Sequence, residues 1–73
     1  MVLRHLRNLL ALHQSQLRRY QEETRAVIAE VVATTGLRRE GMMWELVRQL
    51  GEAHEQTYIE WLERAIQRVE SWR

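Results

Sequence analysis

Leu3, Leu6, Leu10, His13, Leu17, Tyr20, Thr24, Val27 and Val31 follow one another at intervals that alternate between three and four residues. Only an α-helix brings positions with that spacing onto one side, and a stripe this long needs another helix to cover it. All but His13 and Thr24 are apolar or aromatic. The pattern constrains association far more tightly than it constrains chemistry.

The chain has 73 residues and no cysteine. A domain of this size buries only about 60% of the surface its unfolded chain exposes. Disulfides and thiolate zinc sites are excluded as staples, which leaves regular helix packing or oligomerisation. Proline, phenylalanine, aspartate and lysine are also absent, so the composition permits helix throughout. No apolar run approaches the roughly 20 residues that span a bilayer, and no signal peptide is recognisable. The expectation is a cytoplasmic protein without membrane contact.

Helix one is expected over about residues 2–35. Thr34-Thr35-Gly36 reads as its stop, because β-branched residues weaken the last turn and glycine suits the left-handed position that follows. Residues 36–41, flanked by Gly36 and Gly41, read as a tight connection with room for one helical turn of its own, which makes the helices antiparallel neighbours. Helix two is expected over about residues 42–72, with Met43, Leu46, Val47, Leu50, Tyr58, Trp61, Leu62, Ala65, Ile66, Val69 and Trp72 on a stripe wider than one seam. Gly51 inside that stripe predicts the close approach of another backbone. The fold class that results is all-α. A single domain over residues 1–73 forms an antiparallel two-helix hairpin, and two copies close into a four-helix arrangement. The interface is assigned to Leu3, Leu6, Leu10, His13, Leu17, Tyr20, Val27, Val31, Leu50, Gly51, Tyr58, Trp61, Leu62 and Ala65.

Chemistry has little support. His5, His13 and His54 show neither H-x-x-x-H nor E-x-x-H spacing, so no metal site is expected. Nucleophile elbows and glycine-rich phosphate loops are missing, and no catalytic residue or cofactor is assigned. His13 reads as a polar register marker on the seam, and its charge change near neutral pH is a candidate for loosening a dimer. Tyr58 and Trp61 read as core, with an aromatic slot for a flat ligand as the sharper alternative. Arg4, Arg7, Arg18 and Arg25 form a basic strip along helix one. With a net charge of only +1, a face that meets a neighbour's glutamates is favoured over phosphate binding.

The run from Leu50-Gly51-Glu52 through Trp61-Leu62-Glu63-Arg64-Ala65 resembles the C-terminal segment of PadR-family transcription regulators. There a glycine is followed ten residues later by tryptophan in a phrase like W-L-E-x-A. Leu10 through Tyr20 is similar to the long first helix of the same domain. The resemblance implies a module for dimerisation and, in some members, effector sensing. The winged helix-turn-helix of that family has no counterpart in these residues, so DNA binding is not carried over. Three functions are therefore weighed. The leading one is a non-catalytic homodimerisation module in transcription control, which meets DNA only through another domain. A helical adaptor or anti-regulator that docks on a partner protein's helix is the second. A small helical-bundle enzyme or nucleic-acid binder is the third.

Overall fold

A computed structural model describes residues 2–72. Every described residue except Gly36, Leu37 and Trp72 is helical. The elements are α1 (Val2–Arg19), a π-helical turn (Tyr20–Thr24), α2 (Arg25–Thr35) and α3 (Arg38–Ser71). Together α1, the π turn and α2 make one long arm, and α3 is the other arm of a helical hairpin that measures 57 × 15 × 12 Å. Side chains meet across it as Arg7 with Glu70, His13 with Glu55 and Gln21 with Glu52.

The arms are joined by Gly36 and Leu37 alone. Thr34 and Thr35 turn their hydroxyls back onto carbonyls of the preceding turn, at 3.0 Å on Glu30 and 2.6 Å on Val31. Gly36 then takes φ of 71°, and its N–H caps the Val32 carbonyl at 2.8 Å. A side chain at that φ would be strained. Residues 38–41, expected in the connection, are instead the first turn of α3, closed by Gly41 N–H on the Leu37 carbonyl at 2.9 Å. Gly41 is not a break. It is buried beneath Val32, and a Cβ there would fall against the Val32 methyl Cγ2.

The stripe of the first arm is not continuous. The π turn closes i to i+5 bonds and so takes up an extra residue. Downstream of it the inward side rotates by one position. Ile28 is half-buried, whereas Val27, assigned to the seam, is 58% exposed. Upstream the spacing holds, with Leu3 buried and Leu6, Leu10, His13, Leu17 and Tyr20 half-buried. Val31 and Val32 share the inward side at the end of the arm.

On α3 the inward residues are Gly41, Glu45, Arg48, Glu52, Glu55, Ile59, Leu62, Ile66 and Val69, all buried or half-buried. The spacing is an unbroken alternation of four and three, but only the half beyond Glu55 is apolar. The most apolar stretch of the helix lies elsewhere: Leu50 is 70% exposed and Trp61 is 53% exposed. Leu50 and Trp61 therefore stand outside the contact between the two arms, while Tyr58 lies at its edge, against His13. The core is correspondingly small, comprising Leu3, Ile59, Leu62 and Ile66, with Leu62 fully buried.

Two outcomes follow. Leu62→Ala should cost about 2–5 kcal/mol of stability in urea unfolding at fixed protein concentration, while Trp61→Ala should not create a comparable cavity in the hairpin. Deleting the exposed Glu22 should remove the extra residue of the π turn and leave the downstream register unchanged. Thiol labelling of cysteines placed at Val27 and Ile28 should then stay fast and slow, respectively, and a reversal would refute the inserted-residue account.

Candidate docking face and the polar seam behind it

Arg48 organises the upper half of the hairpin. It is buried, with its side chain 7% exposed. Its Nε donates to both Glu45 oxygens at 2.9 and 3.0 Å, and Nη2 reaches Glu45 Oε1 at 2.5 Å. Nη1 donates to Glu52 Oε2 at 2.7 Å and to the backbone carbonyl of Tyr20 at 3.2 Å. Tyr20 is the first residue of the π turn, so the guanidinium meets the first arm where its ladder changes pitch. Glu45 and Glu52 lie three before and four after Arg48, spacings that place both carboxylates beside it on α3. Glu52 also accepts from Gln21 Nε2 at 3.2 Å.

These hydrogen bonds favour the charged forms. The Arg48 guanidinium holds the Glu45 carboxyl below the ordinary glutamate range. Gln21 first, and Arg48 second, do the same for Glu52. The Arg48 pKa is raised by the same two carboxylates. Among the described residues no buried side-chain nitrogen or oxygen lacks a partner.

His13 sits one step further along the same seam. Its Nδ1 lies 2.5 Å from Oε2 of Glu55. A carboxylate only accepts, so Nδ1 carries the hydrogen. The His13 ring stacks on Tyr58 with centroids 4.2 Å apart and planes 20° from parallel. Tyr58 in turn meets Trp61 edge-on at 6.3 Å. This chain of rings leads from the polar seam out to the surface.

The two flanks of the hairpin differ in kind. One flank is a charge ladder, on which Arg7 pairs with Glu70 at 3.1 Å and Arg25 lies close enough to Glu45 and Glu52 to stabilise their charge. Half of the basic strip, Arg7 and Arg25, thus lies near glutamates of α3, and all four of its arginines are exposed. The other flank carries a second alternation, made of Trp44, Val47, Gly51, His54, Tyr58, Trp61, Ala65 and Arg68 on α3 and Trp72 just past its end. Its only polar members are His54 and Arg68, apart from the hydroxyl of Tyr58. Trp44, Val47, Tyr58, Trp61 and Trp72 are all exposed, and Leu50 and Met43 extend the patch. An apolar strip with Arg68 as its one charged member, running along a 34-residue helix, is the candidate interaction face.

A groove of about 660 Å³ opens on this flank, with Tyr20, Ile28, Trp44, Val47, Gly51 and His54 among its walls. Gly51 lines it beside the Tyr20 ring. What approaches Gly51 is a side chain rather than another backbone: a Cβ there would lie 2.7 Å from Cζ of Tyr20. Among the described residues no cluster of histidines, aspartates or glutamates could hold a metal ion, and no helix is long and apolar enough to cross a membrane.

The family model described as virulence activator alpha, C-term, matches residues 1–70. The chain belongs to this family. The virulence activator alpha C-terminal family is by its name part of an activator, so the hairpin is a helical domain related to transcription regulators. No curated protein and no solved structure matches the chain. Arg48 and its carboxylates were missed by sequence reasoning. The signal was present in the interval of three and four residues around a central arginine, but it also describes an ordinary solvated helix face.

Because Glu45 and Glu52 titrate lower in the folded chain than in the unfolded one, their contribution to stability is complete above the ordinary glutamate pKa. It disappears as the pH falls through the lowered folded-state values. Thermal melts from about pH 6 to about pH 3 should show a falling Tm. Arg48→Met should lower Tm by several degrees at neutral pH and flatten that acid dependence. An unchanged slope would mean that the cluster does not couple to folding.

Proposed function

We propose that this chain is a non-catalytic dimerisation and regulatory module of a transcription regulator, of the PadR type that the run from Gly51 to Ala65 resembles. Its antiparallel arms pair with those of a second copy to form a four-helix arrangement. Contact with DNA belongs to a winged helix outside the hairpin, and the setting is the cytoplasm. The observation that carries this reading is the sorting of the two flanks. Charges are paired along one, while the other presents Trp44, Val47, Leu50, Tyr58 and Trp61 to water. Such a strip is costly to leave solvated and matches what an isologous helix interface buries. The family's association with an activator supplies the regulatory part.

Sedimentation at micromolar concentration should give a dimer. Leu50→Glu should convert it to a monomer that keeps its helicity, since Leu50 makes no contribution to the seam between the arms. Arg18→Glu should leave the dimer intact. A well-folded wild-type monomer that instead captures a partner helix would replace this reading with that of an adaptor.

A further inference from the structure

The flank of α3 is self-complementary in one register, and we propose that the groove over Gly51 receives Trp61 of a second copy. This rests on the dimer proposed above and specifies how it closes. In an isologous contact between two antiparallel helices, each residue i meets a residue j of the other copy, and i and j sum to a constant. The alternation from Trp44 to Trp72 allows registers one heptad apart.

The favoured register places Gly51 opposite Trp61, Val47 opposite Ala65, Trp44 opposite Arg68 and His54 opposite Tyr58 of the second copy. Large then meets small at two layers. At a third, the Arg68 guanidinium lies over the Trp44 indole, an attractive pairing of cation and ring. The helices overlap along almost all of α3. Sliding one heptad toward the helix start sets Trp44 against Trp61 and Val47 against Tyr58, bulk against bulk, with Gly51 wasted on His54. Sliding the other way sets Arg68 against Gly51 and shortens the overlap by about 10 Å.

The groove fits this occupant. The Tyr20 ring lies against Gly51, with Cζ 2.7 Å from where a Cβ would stand, and both line the groove, so an incoming indole packs on a flat aromatic surface. Its other walls include the apolar Ile28, Val47 and Leu50, with Arg48, His54 and Glu55 giving it a polar edge. Trp61 projects from the same flank of the same helix, 53% exposed, and is backed by Tyr58. Burying two such indoles, one from each copy, removes the largest exposed ring surfaces near the centre of the strip.

The natural absence of cysteine permits a direct test by disulfide trapping. The chain carrying Val47→Cys with Ala65→Cys should oxidise to a covalent dimer. The chain carrying Val47→Cys with Tyr58→Cys, which reports the neighbouring register, should not, and neither should either cysteine alone. Trp61→Ala should weaken the dimer by more than about tenfold while leaving the helicity of the hairpin unchanged. A dimer in sedimentation that is trapped only through Val47→Cys with Tyr58→Cys, or that is indifferent to Trp61→Ala, overturns this register and leaves the dimerisation reading standing. A wild-type monomer removes both.

Discussion

Arg48 is the point on which the hairpin turns. A buried guanidinium must be surrounded by acceptors, because charge removed from water is costly unless paired and hydrogen-bonded. Here Glu45, Glu52 and the Tyr20 carbonyl provide them. Two of the three come from α3 itself, so the cluster travels with that helix and reaches across once. That one bond lands at the start of the π turn. The arginine therefore connects the upper half of α3 to the place where the first arm shifts its register.

The sorting of apolar surface follows from this. Glu45, Arg48, Glu52 and Glu55 occupy the inward positions along the upper half of α3, so Trp44, Val47 and Leu50 are turned onto a flank. In the lower half Ile59, Leu62, Ile66 and Val69 fill the seam, yet Tyr58 and Trp61 still continue the outer strip. The helix thus carries two alternations side by side, one used within the hairpin and one left over. His13 stands where they touch, bonded to Glu55 on the inside and stacked on Tyr58 toward the outside.

Helix content, the stop at Gly36 and the inward side of Leu3 through Tyr20 were legible because each is local: spacing, turn chemistry and propensity act within a few residues. The strip on α3 was visible as well, but not its destination. The stripe containing Leu50 is wider than one seam, and the sequence does not say which part of it faces inward; the fold gives its inner positions to a satisfied ion cluster, a choice made by tertiary partners. The π turn was hidden for another reason. Val27 and Ile28 are both apolar, so either register reads as a continuous stripe, and an inserted residue leaves no mark in such a sequence. Gly41 and Gly51 were recognised as special, but one was read as a break and the other as a backbone contact. In the fold both are clearances for side chains, Val32 and Tyr20.

A core of Leu3, Ile59, Leu62 and Ile66 is little for a chain of 73 residues. The ion cluster specifies register in the upper half, but a buried ion network is weak evidence of net stability, since desolvation offsets much of the attraction. Stability has to be found elsewhere, and the unspent apolar surface is on the Trp44–Trp61 flank. In the proposed dimer, folding and association would then be linked by mass action: whatever binds the folded hairpin and not the unfolded chain stabilises it. A polar interior and an apolar exterior are in that sense one arrangement. The inner seam selects how the arms align, and in the proposed dimer the outer strip would supply by pairing what the small core lacks. Such a hairpin would report the presence of its partner through its own stability, which suits a module that holds two copies of a regulator together.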